Sequence, residues 1–421
     1  MSPPSSADGT TEDGDWVNLP PHDGTTAHVW FFEPKVRFGD VLSKSGLENI
    51  ANHKYVAGSY TALDTALNPL WVKLTDMLPL WLAPNAVTTV GGLHCGLAYY
   101  VLWQHSPNFE QPVPDWVLFL AGYCTIAYYT LDCMDGKQAR RTGASSPLGQ
   151  LFDHGFDCIC NMAHCAISSA YLMNGSTRWY FLQQCTLQYS FFVAQWEEYY
   201  THVLPHSTGQ IGVTEVNYGL GLLTIFMGFV DREAFWLQQL KDVLPYAISS
   251  CLPPSLVHLE LRYMSTVGWT CMVTVLVILS FLRVCNHLDT NRARFGAACN
   301  LLSPLMVGIA PFLLPLEYIQ DNTRFISVAT GLLFSHITKK QIVYSMAKMT
   351  FASIQLDALF FFFVCLWIRC DERLTEDGAF LAIKALCLWH AFRLCHWAGI
   401  AISQICKKLD IWCLRIKHKA D

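Results

Sequence analysis

Apolar residues along this chain gather into long blocks instead of recurring at the three-to-four-residue spacing of a soluble helix face. A membrane-spanning helix needs about 20 such residues. Ten windows are candidates: Pro84–Gln104, Val113–Leu131, Gln150–Met173, Trp179–Val203, Val216–Val230, Met264–Val284, Phe295–Leu316, Phe325–Tyr344, Ile354–Arg369 and Ala379–Ile405. The fifth and ninth are short. The pattern predicts an all-α, polytopic integral membrane protein with about ten transmembrane helices. Ahead of the first window, residues 1–37 are mostly polar and rich in Ser, Gly, Thr and Pro, as in a disordered tail. Residues 38–83 mix charge with Leu, Tyr and Trp, as in an amphipathic segment lying on the bilayer surface. Residues 84–232 and 233–406 hold the two runs of helices, and 407–421 form a basic tail.

Composition agrees with that reading. Hydrophobic residues make up 52% of the 421 and charged residues 14%, about half the usual charged share, and mean hydropathy is +0.27. The net charge of −5 matters less than where the charges fall. With the N-terminus in the cytosol, Lys137, Arg140 and Arg141 share one cytosolic loop, Arg283, Arg292 and Arg294 a second, and Lys339, Lys340 and Lys348 a third. The basic tail then lies on the same side, and the opposite loops, including His105–Pro112 and Cys370–Gly378, are acidic or neutral. This is the positive-inside arrangement. Seventeen cysteines fall mostly inside apolar windows with no CxxC pair, so reduced packing residues are expected. No cleavable signal peptide, internal transporter-type repeat or nucleic-acid partner is expected. The last five residues, Lys417 to Asp421, look like the dilysine retrieval signal of endoplasmic reticulum proteins.

Charges are rare near the windows, yet four aspartates lie close together in the second and third of them and their junction. Asp132 and Asp135 stand three apart, Asp153 and Asp157 four apart, so each pair points along one helical face. Four carboxylates brought together cannot all stay ionised without positive charge between them. Oxygen-only donors favour a hard ion, Mg²⁺ or Mn²⁺, over zinc. Gly136 and Ala139 leave the backbone open to a ligand, and Arg140 offers a planar fork for phosphate. Together they suggest metal-assisted phosphoryl transfer.

Asp132, Asp135, Gly136, Ala139, Arg140, Gly149, Asp153 and Asp157 fill the pattern Asp-x2-Asp-Gly-x2-Ala-Arg-x8-Gly-x3-Asp-x3-Asp without a departure. On these residues the chain resembles the CDP-alcohol phosphotransferase family. The run Asp153-His154-Gly155-Phe156-Asp157, the Tyr55–Asp76 approach segment and the Ile337–Lys340 region are similar to its eukaryotic choline/ethanolaminephosphotransferase branch. The resemblance implies that 84–232 are the catalytic helices, while 233–406 serve lipid access and dimerisation. It implies two Mg²⁺ or Mn²⁺ ions, one held by Asp132, Asp135 and Asp153, the other by Asp132, Asp153 and Asp157. The implied reaction moves phosphocholine or phosphoethanolamine from CDP-choline or CDP-ethanolamine to diacylglycerol within membrane lipid. It releases CMP at a cytosol-facing site in the endoplasmic reticulum or Golgi, in a homodimer.

The remaining sites carry paired readings. His154 is the favoured general base, since imidazole takes a proton near neutral pH, with Asp157 as its competitor. Glu215, in a Thr-Glu pair like the branch's own, either orients His154 or is an acid at a helix start. Glu197 and Glu198 either share that orienting task or face the cytosol. Asn85, in Pro84-Asn-x-x-Thr88, either contacts phosphate or base at the helix start or caps it, and Gly149 leaves room for the pyrophosphate. Two other functions stay open: a phosphatidyltransferase using CDP-diacylglycerol with inositol or glycerol phosphate as acceptor, and a membrane transporter.

Overall fold

Two features of the sequence fix the turn at the centre of the molecule. Gly143 adopts φ 67°, a left-handed conformation open to glycine, and its N–H closes the preceding helix on the Ala139 and Arg140 carbonyls. Pro147 then opens the next helix at its first turn, where its missing N–H costs nothing. The two helices therefore run back beside one another. In the computed structural model, which describes residues 36–417 except 57, 110, 206 and 208–210, these are α4 (Asp115–Thr142) and α5 (Pro147–Leu172). Most of the tail over 1–37 and the last four residues, Lys419 included, lie outside the described residues.

Before them come α1 (Lys44–Asn52), α2 (Ala62–Asp76) and α3 (Pro84–His105), and after them α6 (Arg178–Thr201) and α7 (Val213–Met227). Four helical turns of four or five residues occupy Arg232–Val257. The second run holds α8 (Leu261–His287), α9 (Asn291–Cys299), α10 (Leu302–Ile309), α11 (Leu316–Ala347), α12 (Leu356–Cys370) and α13 (Glu376–Leu409). No strand occurs among the described residues, and the protein is an all-α integral membrane protein.

Each of the ten windows falls on helix. Phe295–Leu316 falls on a stretch, Asn291–Leu313, that is long and apolar enough to cross a membrane and is built of α9, α10 and a 3₁₀ turn over Ala310–Leu313. Asn300 sits at the break, donating to the Tyr200 hydroxyl at 2.7 Å and accepting from Ser353 at 2.6 Å. Side chains that bond elsewhere compete with continued helix. Four stretches are long and apolar enough to cross a membrane: α4, α8, Asn291–Leu313 and α13. The others combine less length or more polarity. Helices α7 and α12 have 15 residues each, and α5, α6 and α11 bury polar side chains such as Asn161, Gln184, Gln188, Ser327 and Gln341. Polar groups inside a bundle bond neighbouring helices instead of facing lipid, as Gln184 does to the Ser327 carbonyl.

Helix α3 packs on α4 and α5, and α7 on α4, while α11 forms the axis of the second half against α5, α6 and α13. Close approach of α4 and α7 depends on small residues. A Cβ on Gly122 would lie 2.5 Å from the Gly221 carbonyl oxygen, and one on Gly221 would lie 2.6 Å from Ile126. Gly122→Leu is therefore expected to lower stability by about 1–3 kcal/mol, read as a fall in thermal midpoint in detergent. The segment over 38–83 packs onto the bundle: Asn49 donates to the Ala347 carbonyl at 2.9 Å, and buried Trp71 donates to the Tyr218 hydroxyl at 2.9 Å. All seventeen cysteines are free.

Candidate metal centre

The return of α4 into α5 brings three of the four aspartates together. One carboxylate oxygen from each of Asp132, Asp135 and Asp153 lies within 4.8 Å of the others. Asp135 is buried, and its Oδ2 accepts from the Thr88 hydroxyl of α3. Asp132 Oδ1 is buried with no hydrogen-bond donor. Asp157, one turn beyond Asp153, stands apart from that trio: its Oδ1 accepts from the Tyr128 hydroxyl, although its charge still acts on Asp132.

Nearby cations leave this charge uncompensated. Among the described residues, no lysine or arginine forms an ion pair with any of the four. Among those residues the basic group at such range is His154, its Nε2 3.8 Å from Asp153 Oδ2. Lys137 donates to the Cys133 carbonyl at 3.1 Å and lies over the Trp71 ring. Arg141 donates to the carbonyls of Leu78 and Asp76 at 2.7 and 3.1 Å, and buried Gln138 to those of Pro79 and Leu82 at 3.0 Å each. These bonds pin the approach to α3. Arg140 is exposed and engages no group among the described residues, and the space over Gly136 is open except for the Arg140 guanidinium, 3.7 Å from an added Cβ. Three carboxylates with an undonated oxygen fit a hard divalent cation, which would offset their repulsion.

Around the acids, the remaining candidates separate. His154 is buried and meets the Tyr55 ring edge-on with 5.9 Å between ring centroids. Asn85 donates to the Cys413 carbonyl at 2.9 Å and, with Arg141 and Lys417, lines a cavity of about 950 Å³. A Cβ on Gly149 would lie 3.9 Å from Asn85 Oδ1, so α3 and α5 begin side by side. Glu215 caps its own helix, accepting from the Gly212 N–H at 2.8 Å. Glu197 accepts two bonds from Arg283, at 2.5 and 2.8 Å. Glu198 accepts from Gln150 at 2.8 Å, and Gln150 in turn contacts His53 at 2.8 Å. Burial lowers the basicity of the His53 ring. These bonds fit Glu215 as an acid at a helix start, and Glu197 and Glu198 are buried against Arg283 and Gln150 instead of facing the cytosol.

Two residues given no role in the sequence reading hold the acids in place: Thr88 on Asp135 and Tyr128 on Asp157. Thr88 lay in the Pro-Asn-x-x-Thr element without a role. Tyr128 precedes Asp132 by four residues and so shares its helical face. Loss of a partner that orients a metal ligand typically weakens the metal by about 10–100-fold. Thr88→Val is accordingly expected to raise the concentration of Mg²⁺ or Mn²⁺ giving half-maximal activity by that factor, with thermal stability little changed.

Fold and site together define an integral membrane protein whose paired helices bring together an acidic cluster fit for a divalent cation. Residues 81–250 match the family model for CDP-alcohol phosphatidyltransferase. The chain is 29% identical to choline/ethanolaminephosphotransferase 2 of Arabidopsis thaliana, over 90% of this chain and 99% of that protein. It is 30% identical to an uncharacterized CDP-alcohol phosphatidyltransferase class-I family protein 2 of Dictyostelium discoideum, over 72% and 69% of the two. Cholinephosphotransferase 1 of Gallus gallus is 33% identical over 56% of this chain and 65% of its own. The protein belongs to the CDP-alcohol phosphatidyltransferase family and is an enzyme of that type.

Proposed function

We propose that the protein transfers phosphocholine, phosphoethanolamine or both from the CDP-alcohol to diacylglycerol, releasing CMP. What carries this reading is the trio Asp132, Asp135 and Asp153, without a balancing cation, in a chain similar to a choline/ethanolaminephosphotransferase over 99% of that protein. Asp132, Asp135 and Asp153 would hold one Mg²⁺ or Mn²⁺ ion, and Asp132, Asp153 and Asp157 a second. Bound there, such ions supply charge neutralisation for the pyrophosphate and polarise the phosphorus.

The chain's own groups divide the remaining work. His154 takes the proton from the lipid hydroxyl as that oxygen bonds to phosphorus. The bond from phosphorus to the CMP oxygen breaks, and CMP leaves with the electron pair. His154 suits the task better than Asp157, one of whose oxygens already accepts from Tyr128. Arg140, with its guanidinium unengaged, pairs with phosphate oxygens. Gly136, Ala139 and Gly149 give the nucleotide room, and Asn85 at the start of α3 contacts it. Residues 84–232 would then be the catalytic unit and 233–406 the part for lipid access and homodimer formation. By the distribution of Lys and Arg, the site faces the cytosol, in the endoplasmic reticulum or Golgi.

The deciding experiment offers the purified protein radiolabelled CDP-choline, CDP-ethanolamine and CDP-diacylglycerol in parallel, with dioleoylglycerol, inositol or glycerol phosphate and Mg²⁺. Labelled phosphatidylcholine or phosphatidylethanolamine is expected. Label only in products of CDP-diacylglycerol would replace this reading with a phosphatidyltransferase.

A further inference from the structure

The chain does not leave the bundle where its last helix ends. Asp410 closes α13 at φ 53°, a left-handed conformation that Asp adopts more readily than most residues. Its N–H and that of Ile411 both bond the Cys406 carbonyl. Residues 410–417 are then pinched by an ion pair between their two ends, Lys417 Nζ lying 2.8 Å from each Asp410 oxygen. Side chains along the segment alternate. Ile411 and Cys413 pack against the core, while Trp412 and Leu414 are exposed. The segment therefore lies on the bundle as a strap.

What the strap covers is the start of α3. Asn85 donates from Nδ2 to the Cys413 carbonyl at 2.9 Å. Among the described residues, the strap's other hydrogen bonds stay within it or return to the end of α13. Asn85 is buried, and its Oδ1 is turned to the start of α5, 3.9 Å from a Cβ added to Gly149. The cavity of about 950 Å³ lies between the strap, the start of α3 and the turn that joins α4 to α5. Arg141, Arg415 and Lys417 line it together with Asp410, and Arg415 engages no group among the described residues. A cationic chamber suits an anionic nucleotide. Yet the amide that would meet the nucleotide is already held by the chain's own carbonyl.

We propose that residues 410–417 form an autoinhibitory strap, latched on the Asn85 amide, which has to release before the nucleotide of the donor can occupy this end of the site. The proposal rests on the reading of Asn85 as a nucleotide contact and adds the regulation of that contact. Strap and nucleotide compete for one amide, so the donor binds only those molecules whose strap is open. Apparent affinity is reduced by the open fraction. Once the donor is seated the strap is off in every molecule, and the chemical step proceeds as it would without one. The latch thus acts on KM and leaves kcat alone. One hydrogen bond of ordinary net strength sets the scale of the effect at about two- to tenfold.

The test uses the full-length protein in lipid nanodiscs, with the strap's own Cys413 as reporter. Labelling by N-ethylmaleimide, read peptide by peptide by mass spectrometry, is timed with and without CMP and Mg²⁺. Exposed Cys370, at the end of α12, serves as the reference. CMP should speed the labelling of Cys413 severalfold and leave Cys370 unchanged. An unchanged or slower rate at Cys413 overturns the proposal. In turnover assays, removal of residues 411–421 should lower KM for the CDP-alcohol by about two- to tenfold, the scale of the lost hydrogen bond, with kcat unchanged. A raised KM would make the strap a wall of the donor site, and an unchanged KM would leave the latch without effect; either result overturns the proposal. If the shortened protein fails to fold, Cys413 labelling in the wild type still decides. Should the wild type use no CDP-alcohol with diacylglycerol, the proposed function fails. Labelling with CMP, a portion common to all CDP-linked donors, separately reports whether a nucleotide releases the strap.

Discussion

Asp132→Asn is expected to reduce transfer by more than about 100-fold, beyond the effect of losing a residue that merely orients a ligand. Asp132 stands in both proposed ion sets, and its buried Oδ1 has no hydrogen-bond donor. Asparagine keeps the side-chain volume, removes the charge and places an N–H₂ or a weaker oxygen where a cation would bind. Removing one charge from a crowded acidic cluster also relieves repulsion, so the variant should be at least as thermally stable as the wild type. The measurement is turnover with radiolabelled donor, beside a thermal melt and a titration with Mn²⁺. The wild type should gain thermal stability as Mn²⁺ is added, because a ligand that binds the folded state stabilises it. The variant should lose most of that gain. Turnover within tenfold of the wild type, or an undiminished response to Mn²⁺, would remove Asp132 from the metal site.

The second large effect is expected at His154. Loss of a general base costs about 10²–10⁴-fold in rate, so His154→Ala should lower kcat by that range. The His154 ring lies beside Asp153 and the Tyr55 ring and does not replace a carboxylate. Binding of CDP-choline or CDP-ethanolamine, measured calorimetrically in detergent with Mg²⁺, should therefore change by less than about threefold, a small part of the factor assigned to proton transfer. If kcat holds while Asp157→Asn abolishes it, the proton goes to Asp157. If binding falls together with kcat, His154 shapes the donor site instead.

Much of this architecture could be read from sequence because lipid leaves few choices. Long apolar blocks can only be helices in a bilayer, and the windows found α3 through α8 and α11 through α13 to within a few residues at most ends. The apolar window for α4 ended at Leu131 because the turns to Thr142 are polar, although the spacing of Asp132 and Asp135 already implied helix beyond it. Helix α11 likewise runs beyond its window at both ends. The interruption at Asn300 depends on Tyr200 and Ser353, about 100 and 53 residues away, and no local pattern holds that information. At the site, three- and four-residue intervals put each aspartate pair on one helical face. The grouping of Asp132, Asp135 and Asp153 that the structure shows was implied by the family resemblance, and the position of Asp157 outside that trio was not legible. Glu215 shows a local case. Of its two readings, the acid at a helix start is the one with a bond in the structure, since a glutamate three residues after a helix start can accept from the preceding N–H, as Glu215 does from Gly212. Thr88 and Tyr128 were missed because a hydroxyl's choice of acceptor follows from helix packing, which the sequence does not spell out.

Helix α4 is a single unbroken rod of 28 residues, about 42 Å long at 1.5 Å per residue, against a hydrocarbon layer of about 30 Å. The surplus lets its acidic end stand in the headgroup layer while its first turns remain on the far side. With no hinge along the rod, the depth of Asp132 and Asp135 is tied to membrane thickness. Lipids with longer tails would draw the carboxylates toward hydrocarbon and shorter ones would lift them into water. Transfer is therefore expected to vary with the chain length of the lipids around the protein, read as turnover in vesicles of increasing thickness.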